Sequence, residues 1–432
     1  MCKQRPSSPS TLHSISSEEC SPCTAGRTDA QVLHDTPVLI PPTLICDYME
    51  NMYPFYPVVD QDEVQVCYSS LQTDASSAAF IYALAAATIA WTHCRVVSDA
   101  KASGNIEDLI ARSLQSSGST MDPGHPSVIT AMTPLLIQIA LASLGRREAA
   151  WFHLRQACTL VQLLNYHDAR CETILDLHET SRRQRLYWMA LIHERFLSVR
   201  LGLPAMLGPM PSPPSPDPRL PENIQHSFSL ICRMFQLMDA DFFTRWLSPG
   251  EDQDGSTQTL EWISNAQTEL DKIAVTDSNN ATILSDKQTA DIVITQLWMH
   301  VLFWQLAIRT CPLPSDARDM CLSLRFPLRL TRHLARTIRT LAKEDIESHG
   351  ASMVHKLLEL LIAIVDVVNI AGLDSYHQGE NVLSDLELLI FFIVGLDRLD
   401  ERQKELLHLK LDQLSSRHPS LSYLAFPHSL LT

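Results

Sequence analysis

Cys20 and Cys23 are separated by two residues, the spacing of half a zinc site. A closed structural zinc site takes four ligands, and Cys2 is the nearest further thiol. The pair therefore reads as two cysteines in a polar tail, with no metal bound. His178–Glu179 and His193–Glu194 each set an imidazole beside a carboxylate. Adjacent side chains on a helix point in different directions, so neither pair makes the i, i+4 arrangement of a helical metal site. His193 falls on an apolar face and reads as a hydrogen-bonded core histidine rather than a ligand or base.

Two arginine patterns have the residue types for binding anions. Arg182, Arg183 and Arg185 open the stretch "SRRQRLYWMALIHERFLSVRLGLPAMLG" at residues 181–208. They suit the edge of a nucleic-acid surface, an anion clamp, or the wet first turn of a buried helix. In "RFPLRLTRHLARTIRTLAK", Arg325, Arg329, Arg332, Arg336, Arg339 and Lys343 step by four, three, four, three, four. That spacing lines the cations along one helical face, with Leu330, Leu334, Ile338 and Leu341 turned away. Arg329, Arg332, Arg336, Arg339 and Lys343 form a candidate docking stripe for an acidic partner or DNA phosphates. The plainer reading, which we prefer, is a solvated face paired with Asp and Glu of an acidic protein.

The sequence contains no glycine-rich phosphate loop, no G-x-S-x-G and no H-E-x-x-H. No catalytic residue, cofactor or metal is assigned, and an all-α enzyme ranks last among the functional readings.

The elements that must carry these residues are legible in apolar periodicity. Leu44, Ile45, Tyr48, Met49 and Met52 share one helical face. The longest apolar run, Ala78–Trp91, is too short to span a bilayer and reads as a core helix. "GNIEDLIARSL" predicts a helix capped near Asn105. Two further helices break at Gly145: Leu135, Ile139, Ala142 and Leu144 mark the first, and Trp151, Leu154, Cys158, Val161 and Leu164 the second. Leu186, Met189, Ala190, His193, Phe196 and Leu197 make the stripe of the next, which stops at Gly202–Pro204. A proline-dense loop at 209–222 follows, then helical periodicity to the C-terminus. Strand-like alternation is nowhere sustained. The fold class is all-α, a large multi-helix domain over 35–432 behind a disordered tail at 1–34, with the tail and the 209–222 loop expected to be mobile.

The 432 residues are 45% hydrophobic and 19% charged, enough for a sizeable core. A net charge of −15 opposes whole-molecule attraction to nucleic acid or anionic lipid, so no membrane partner is expected. Eleven scattered cysteines and the absence of an apolar leader read as reduced thiols inside a cell.

"REAAWFHLRQACTLVQLLNYH", followed by Glu179 and "RRQRLYWMALIHERFLSVRLGLP", resembles the middle homology region of fungal zinc-cluster transcription factors. Trp151, Ala157, Leu163, His167, Glu179, Arg182, Arg183, Arg185, Leu186, Trp188, Arg195, Ser198, Gly202 and Pro204 occupy that family's motif positions. "ICDYMENMYPFYPVVD", "FQLMDADFFTRW", "QTADIVITQLWMHVLFWQLAIR" and "KEDIESHGASMVHKLLELLIAIVDVV" are similar to the starch and maltose activators, so the likeness covers about residues 40–370.

The resemblance implies an all-α regulatory domain of a transcriptional regulator of metabolic genes, working in the nucleus with the transcription machinery or another transcription factor, and it admits a small-molecule inducer. The family's six-cysteine cluster is represented only by Cys2, Cys20 and Cys23, so DNA contact is expected only through a cluster missing here or supplied by a partner. A clusterless helical scaffold modulating a full-length factor is the alternative. Glu194 stands where the family usually has Asp before Arg195. The three arginines of the opening stretch are read as structural, held by Glu179 and by acids on neighbouring helices.

Overall fold

Helix starts in this chain are written as short polar side chains. Asp60, Ser127, Ser285 and Asp400 each accept the backbone N–H three residues on, and the side chain at that third position reaches back to the cap. Asp176 and Asp239 cap two more helices. Each such cap contributes about 1 kcal/mol.

The computed structural model describes residues 40–92, 100–118, 126–171, 175–248, 256–273, 284–315, 317, 319–371, 379–396 and 399–419. The expected tail at 1–34 lies outside them. Sixteen α-helices and no strand occur among the described residues. The first seven are α1 (Thr43–Asn51), α2 (Gln61–Ser69), α3 (Ala75–Thr92), α4 (Ala100–Gly118), α5 (Val128–Ser143), α6 (Arg147–Cys171) and α7 (Leu177–Leu201). Next come α8 (Glu222–Gln236), α9 (Ala240–Leu247), α10 (Ser256–Lys272), α11 (Asp286–Thr310) and α12 (Phe326–Thr340). The chain finishes with α13 (Lys343–Glu347), α14 (Ala351–Ala371), α15 (Gly379–Val394) and α16 (Glu401–Arg417).

From Pro42 onward the described residues form one compact unit. Within it, α3 packs on α4 and α5, α5 on α6, and α6 on α7. A second group centres on α11, which packs against α8, α10, α12 and α14, while α16 lies on α14 and α15 on α12. Helix α7 touches α5, α6 and α8 and so links the two groups.

Helices α3 and α11 are long and apolar enough to cross a bilayer by length and composition, but 72% and 83% of their most apolar windows are buried inside the domain. The run read as Ala78–Trp91 is thus part of a longer core helix, as its lack of a polar face suggests.

The break at Gly145 is present, with a left-handed φ of 72°. Gly202 ends α7 in the same region of backbone space, at φ 64°. Two expectations need correction. Helix α4 starts at Ala100 rather than near Asn105, because its N-terminal turns carry no apolar periodicity to read. The 209–222 loop, expected to be loose, is bonded through its backbone at residues 210–212, 215 and 217 to side chains of α7 and α8.

Candidate functional site

Helix α7 carries the arginine stretch, and its start explains how the arginines are used. Asp176 caps the helix by accepting the Glu179 N–H at 2.7 Å. Arg182, Arg183 and Arg185 therefore sit past the first turn rather than in it, where the unfavourable effect of the helix dipole on cations has faded. Glu179 takes Arg183 at 2.6 Å and Arg182 at 3.1 Å. Arg182 also pairs with Glu63 of α2.

Arg185 is buried. It donates to the carbonyl of Pro57, to Ser181 Oγ at 2.7 Å and to Asp217 of the proline-rich loop at 3.0 Å. Burial alone pushes the Asp217 carboxyl up, but the Arg219 N–H, His178 and Arg185 outweigh it and hold the group below the usual range. All three arginines are paired with acids of the domain.

The same helix stitches down the loop. Ser181 Oγ donates to the Ser215 carbonyl at 2.6 Å, Trp188 Nε1 to Ser212 at 3.1 Å, and Tyr187 to Gly208 at 2.8 Å. Gln184 accepts the Ser215 N–H at 2.7 Å, and Gln236 of α8 donates to Pro211 at 3.0 Å. Proline removes backbone donors, and apart from the Pro211 carbonyl the groups used here belong to Gly208, Ser212 and Ser215.

One turn further along, Glu194 is fully buried. It accepts the N–H groups of Met206 and Leu207 at 2.7 and 2.8 Å and pairs with Arg155 of α6 at 2.6 Å. Arg155 also donates to the Pro204 carbonyl and lies over the Trp151 ring at 4.2 Å. The acid at this position thus pairs with α6, not with its neighbour Arg195. The Arg195 guanidinium is buried with Nε and Nη1 unpartnered and lies 5.5 Å over Phe243. His193 on the next face is the core histidine expected, 3.1 Å from the Tyr56 hydroxyl, with its pKa pushed down to about 4 by burial and then by Lys356.

Where the two helix groups meet, a cavity of about 140 Å³ opens. Phe55, Tyr56, Trp91, Phe196, Phe228 and Phe235 supply much of its wall. Its polar groups are mostly satisfied within the protein. Asp291 and Lys356 pair at 3.4 Å, and Thr295 bonds to both at 3.1 and 2.6 Å. Burial raises the Asp291 carboxyl, but Lys356 and His349 outweigh that and leave it low; burial lowers the Lys356 ammonium against the pull of Asp291. His349 bonds to the Lys287 carbonyl at 2.8 Å, and burial pushes its pKa down to about 4.

Two groups differ. Gln138 of α5 is 3% exposed, and its Oε1 has no hydrogen-bond partner among the described residues. Arg200 of α7 has no carboxylate within salt-bridge distance among them and leans on the Phe196 ring at 5.6 Å. Burial and then Arg147 push its pKa down to about 10, with Glu359 and Asp400 pulling the other way at longer range, so it stays a cation at neutral pH.

The predicted basic stripe lies on α12 and just beyond it. Arg329, Arg332 and Arg336 are exposed, while Leu330, Leu334 and Ile338 are buried. Arg339 pairs with the buried Asp385 of α15 at 2.8 Å, and Lys343 with Glu347 at 3.3 Å. The stripe contributes no residue to the cavity wall, and its C-terminal half is already neutralised within the domain. Among the described residues no group of three His, Cys, Asp or Glu side chains could hold a metal ion. Cys2, Cys20 and Cys23 lie outside them. Glu194, Asp217, Gln138 and Arg200 went unassigned in the sequence, where only the adjacency of Glu194 to His193 and Arg195 drew notice.

Comparison with known proteins bears on this arrangement. Residues 47–230 match the family model of the fungal specific transcription factor domain. The probable sucrose utilization protein SUC1 of Candida albicans is 22% identical over 69% of this chain and 59% of its own length. The maltose fermentation regulatory protein MAL63 of Saccharomyces cerevisiae is 21% identical over 80% of this chain and 72% of its own. The respiratory transcription factor ZNF1 of the same yeast is 20% identical over 81% of this chain and 74% of its own. The chain thus spans under two thirds of the Candida protein's length. No solved structure matches significantly.

Proposed function

We propose that the chain, whose residues 47–230 match the fungal specific transcription factor domain, is a transcriptional regulator whose helical unit sets the activity of a DNA-bound complex. The observation that carries the reading is the match of the stretch built around α6 and α7, which the structure uses as a buried spine with a clasped loop. Relatives named as regulators of maltose fermentation and of respiration support control of carbon metabolism as the regulated process. On this reading the chain acts in the nucleus, alongside the transcription machinery or a second transcription factor, and promotes no reaction of its own.

Contact with DNA would come through a zinc cluster, carried outside the described residues or contributed by a partner. A net charge of −15 supports that division, because the chain as a whole repels a polyanion. The α12 face remains a secondary proposal for an acidic partner, resting on the exposure of Arg329, Arg332 and Arg336.

The test is a fusion of the whole chain to a heterologous DNA-binding module. Reporter output is expected to change several-fold relative to the module alone, on at least one carbon source. Identical output for module and fusion across glucose, maltose, sucrose and a respiratory substrate would rule the reading out.

A further inference from the structure

The wall of the cavity between the two helix groups carries two polar groups, Gln138 Oε1 and the Arg200 guanidinium, that could meet a ligand. Gln138 brings an unpartnered acceptor that is nine-tenths and more buried. A buried acceptor without a donor costs roughly 1–3 kcal/mol, which a ligand donor would recover. Arg200 brings a half-buried cation with no ion-pair partner among the described residues. Other cations nearby are paired: Arg147 with Asp400 at 3.0 Å and Lys356 with Asp291. Among the charged side chains of the cavity wall, Asp291 and Lys356 offset each other and Arg200 leaves one positive charge, with Glu359 in electrostatic range of it but not in the wall.

The walls set the rest of the ligand. Phe55, Trp91, Phe196 and Phe228 are apolar surfaces on several sides. A volume near 140 Å³ matches one ring, since engineered apolar cavities of about 150 Å³ hold a benzene. The neutral His193 and His349 add no competing charge.

We propose that this cavity binds a small monocarboxylate with a one-ring apolar body and a hydrogen-bond donor, its carboxylate on Arg200 and its donor on Gln138 Oε1. Guanidinium pairs with carboxylate through two parallel hydrogen bonds, which suits an arginine with no acid within salt-bridge distance among the described residues. A disaccharide lacks the charge that Arg200 calls for and exceeds the volume. As a signal to a regulator the ligand rests on the function proposed above, but its binding does not, because binding is measured on the purified chain without DNA or reporter.

Isothermal titration of the whole chain uses four probes: 4-hydroxyphenylacetate, phenylacetate, the neutral alcohol tyrosol, and maltose. The hydroxy acid is expected to bind saturably, phenylacetate more weakly, tyrosol at least about tenfold more weakly, and maltose not at all. R200Q is expected to lose about tenfold or more for both acids. Q138L is expected to weaken the hydroxy acid and leave phenylacetate unchanged. The comparison of acid with alcohol needs no variant, so it holds even if R200Q melts. No saturable binding of either acid, equal affinity for acid and alcohol, or binding of maltose alone would each overturn the proposal. Failure here with an active reporter fusion would remove the ligand and leave the regulator.

Discussion

Glu194 and Arg155 meet at 2.6 Å across the α6–α7 contact, and the carboxylate has no solvent exposure. The same two oxygens hold the backbone of Met206 and Leu207. Removing the acid leaves two buried N–H groups and a half-buried guanidinium unpaired. Glu194→Ala is expected to cost about 3–5 kcal/mol in urea unfolding. Arg155→Ala is expected to cost less, because Arg155 is partly solvated, and the double variant less than the sum of the two. Additive losses would show that the pair is not coupled.

Asp217 anchors the proline-rich loop to Arg185 and His178. Asp217→Ala strands the buried Arg185 and is expected to cost about 3 kcal/mol. The loop should loosen with it, so trypsin is expected to cut after the exposed Arg219 much faster than in the parent chain. Equal cleavage rates would mean that the loop is held by its other bonds alone.

His193, His300 and His349 are each held neutral, burial pushing their pKa values down to about 4. In the unfolded chain they titrate near 6.5. Below that value the unfolded state binds more protons than the native one, so stability is full above about pH 6.5 and falls as pH drops toward 4. The slope is up to about 1.4 kcal/mol per pH unit for each histidine. Urea midpoints at pH 7.5, 6.5, 5.5 and 5.0 test this; a flat profile would contradict it. His300→Gln is expected to make the slope shallower.

On α12, Arg329→Gln with Arg336→Gln is expected to shift stability by no more than about 0.5 kcal/mol, since both side chains are exposed. Arg339→Gln strands the buried Asp385 and is expected to cost about 1–2 kcal/mol. Reporter output of the fusion should survive the Arg329/Arg336 change if the face is merely solvated. An inactive protein with an unchanged melt would assign that face to an acidic partner.

Much of the fold could be read from periodicity, because each of the later helices keeps an apolar stripe and several begin at a short polar cap. Gly145 and Gly202 marked their breaks, as glycines in left-handed backbone do. The site was less legible. Pairing of Glu194 with Arg155, or of Asp217 with Arg185, depends on which helices lie side by side, and no spacing along the chain encodes that. The loop at 209–222 looked loose because proline removes donors, whereas its carbonyls and the N–H groups of Ser215 and Asp217 bond to side chains of α7 and α8. Gln138 sits in a helix buried on almost every side, so its sequence context gives no polar face to notice.

Arg147 and Asp400 are 253 positions apart and bond at 3.0 Å. During synthesis the first partner exists long before the second. At about 5–20 residues per second the gap lasts roughly 13–50 seconds, during which α5, α6 and the N-terminal half of the cavity wall wait for the helices that cover them. Such long-range closure slows folding and leaves apolar surface open on the ribosome. Chains truncated before residue 400 are therefore expected to aggregate rather than fold.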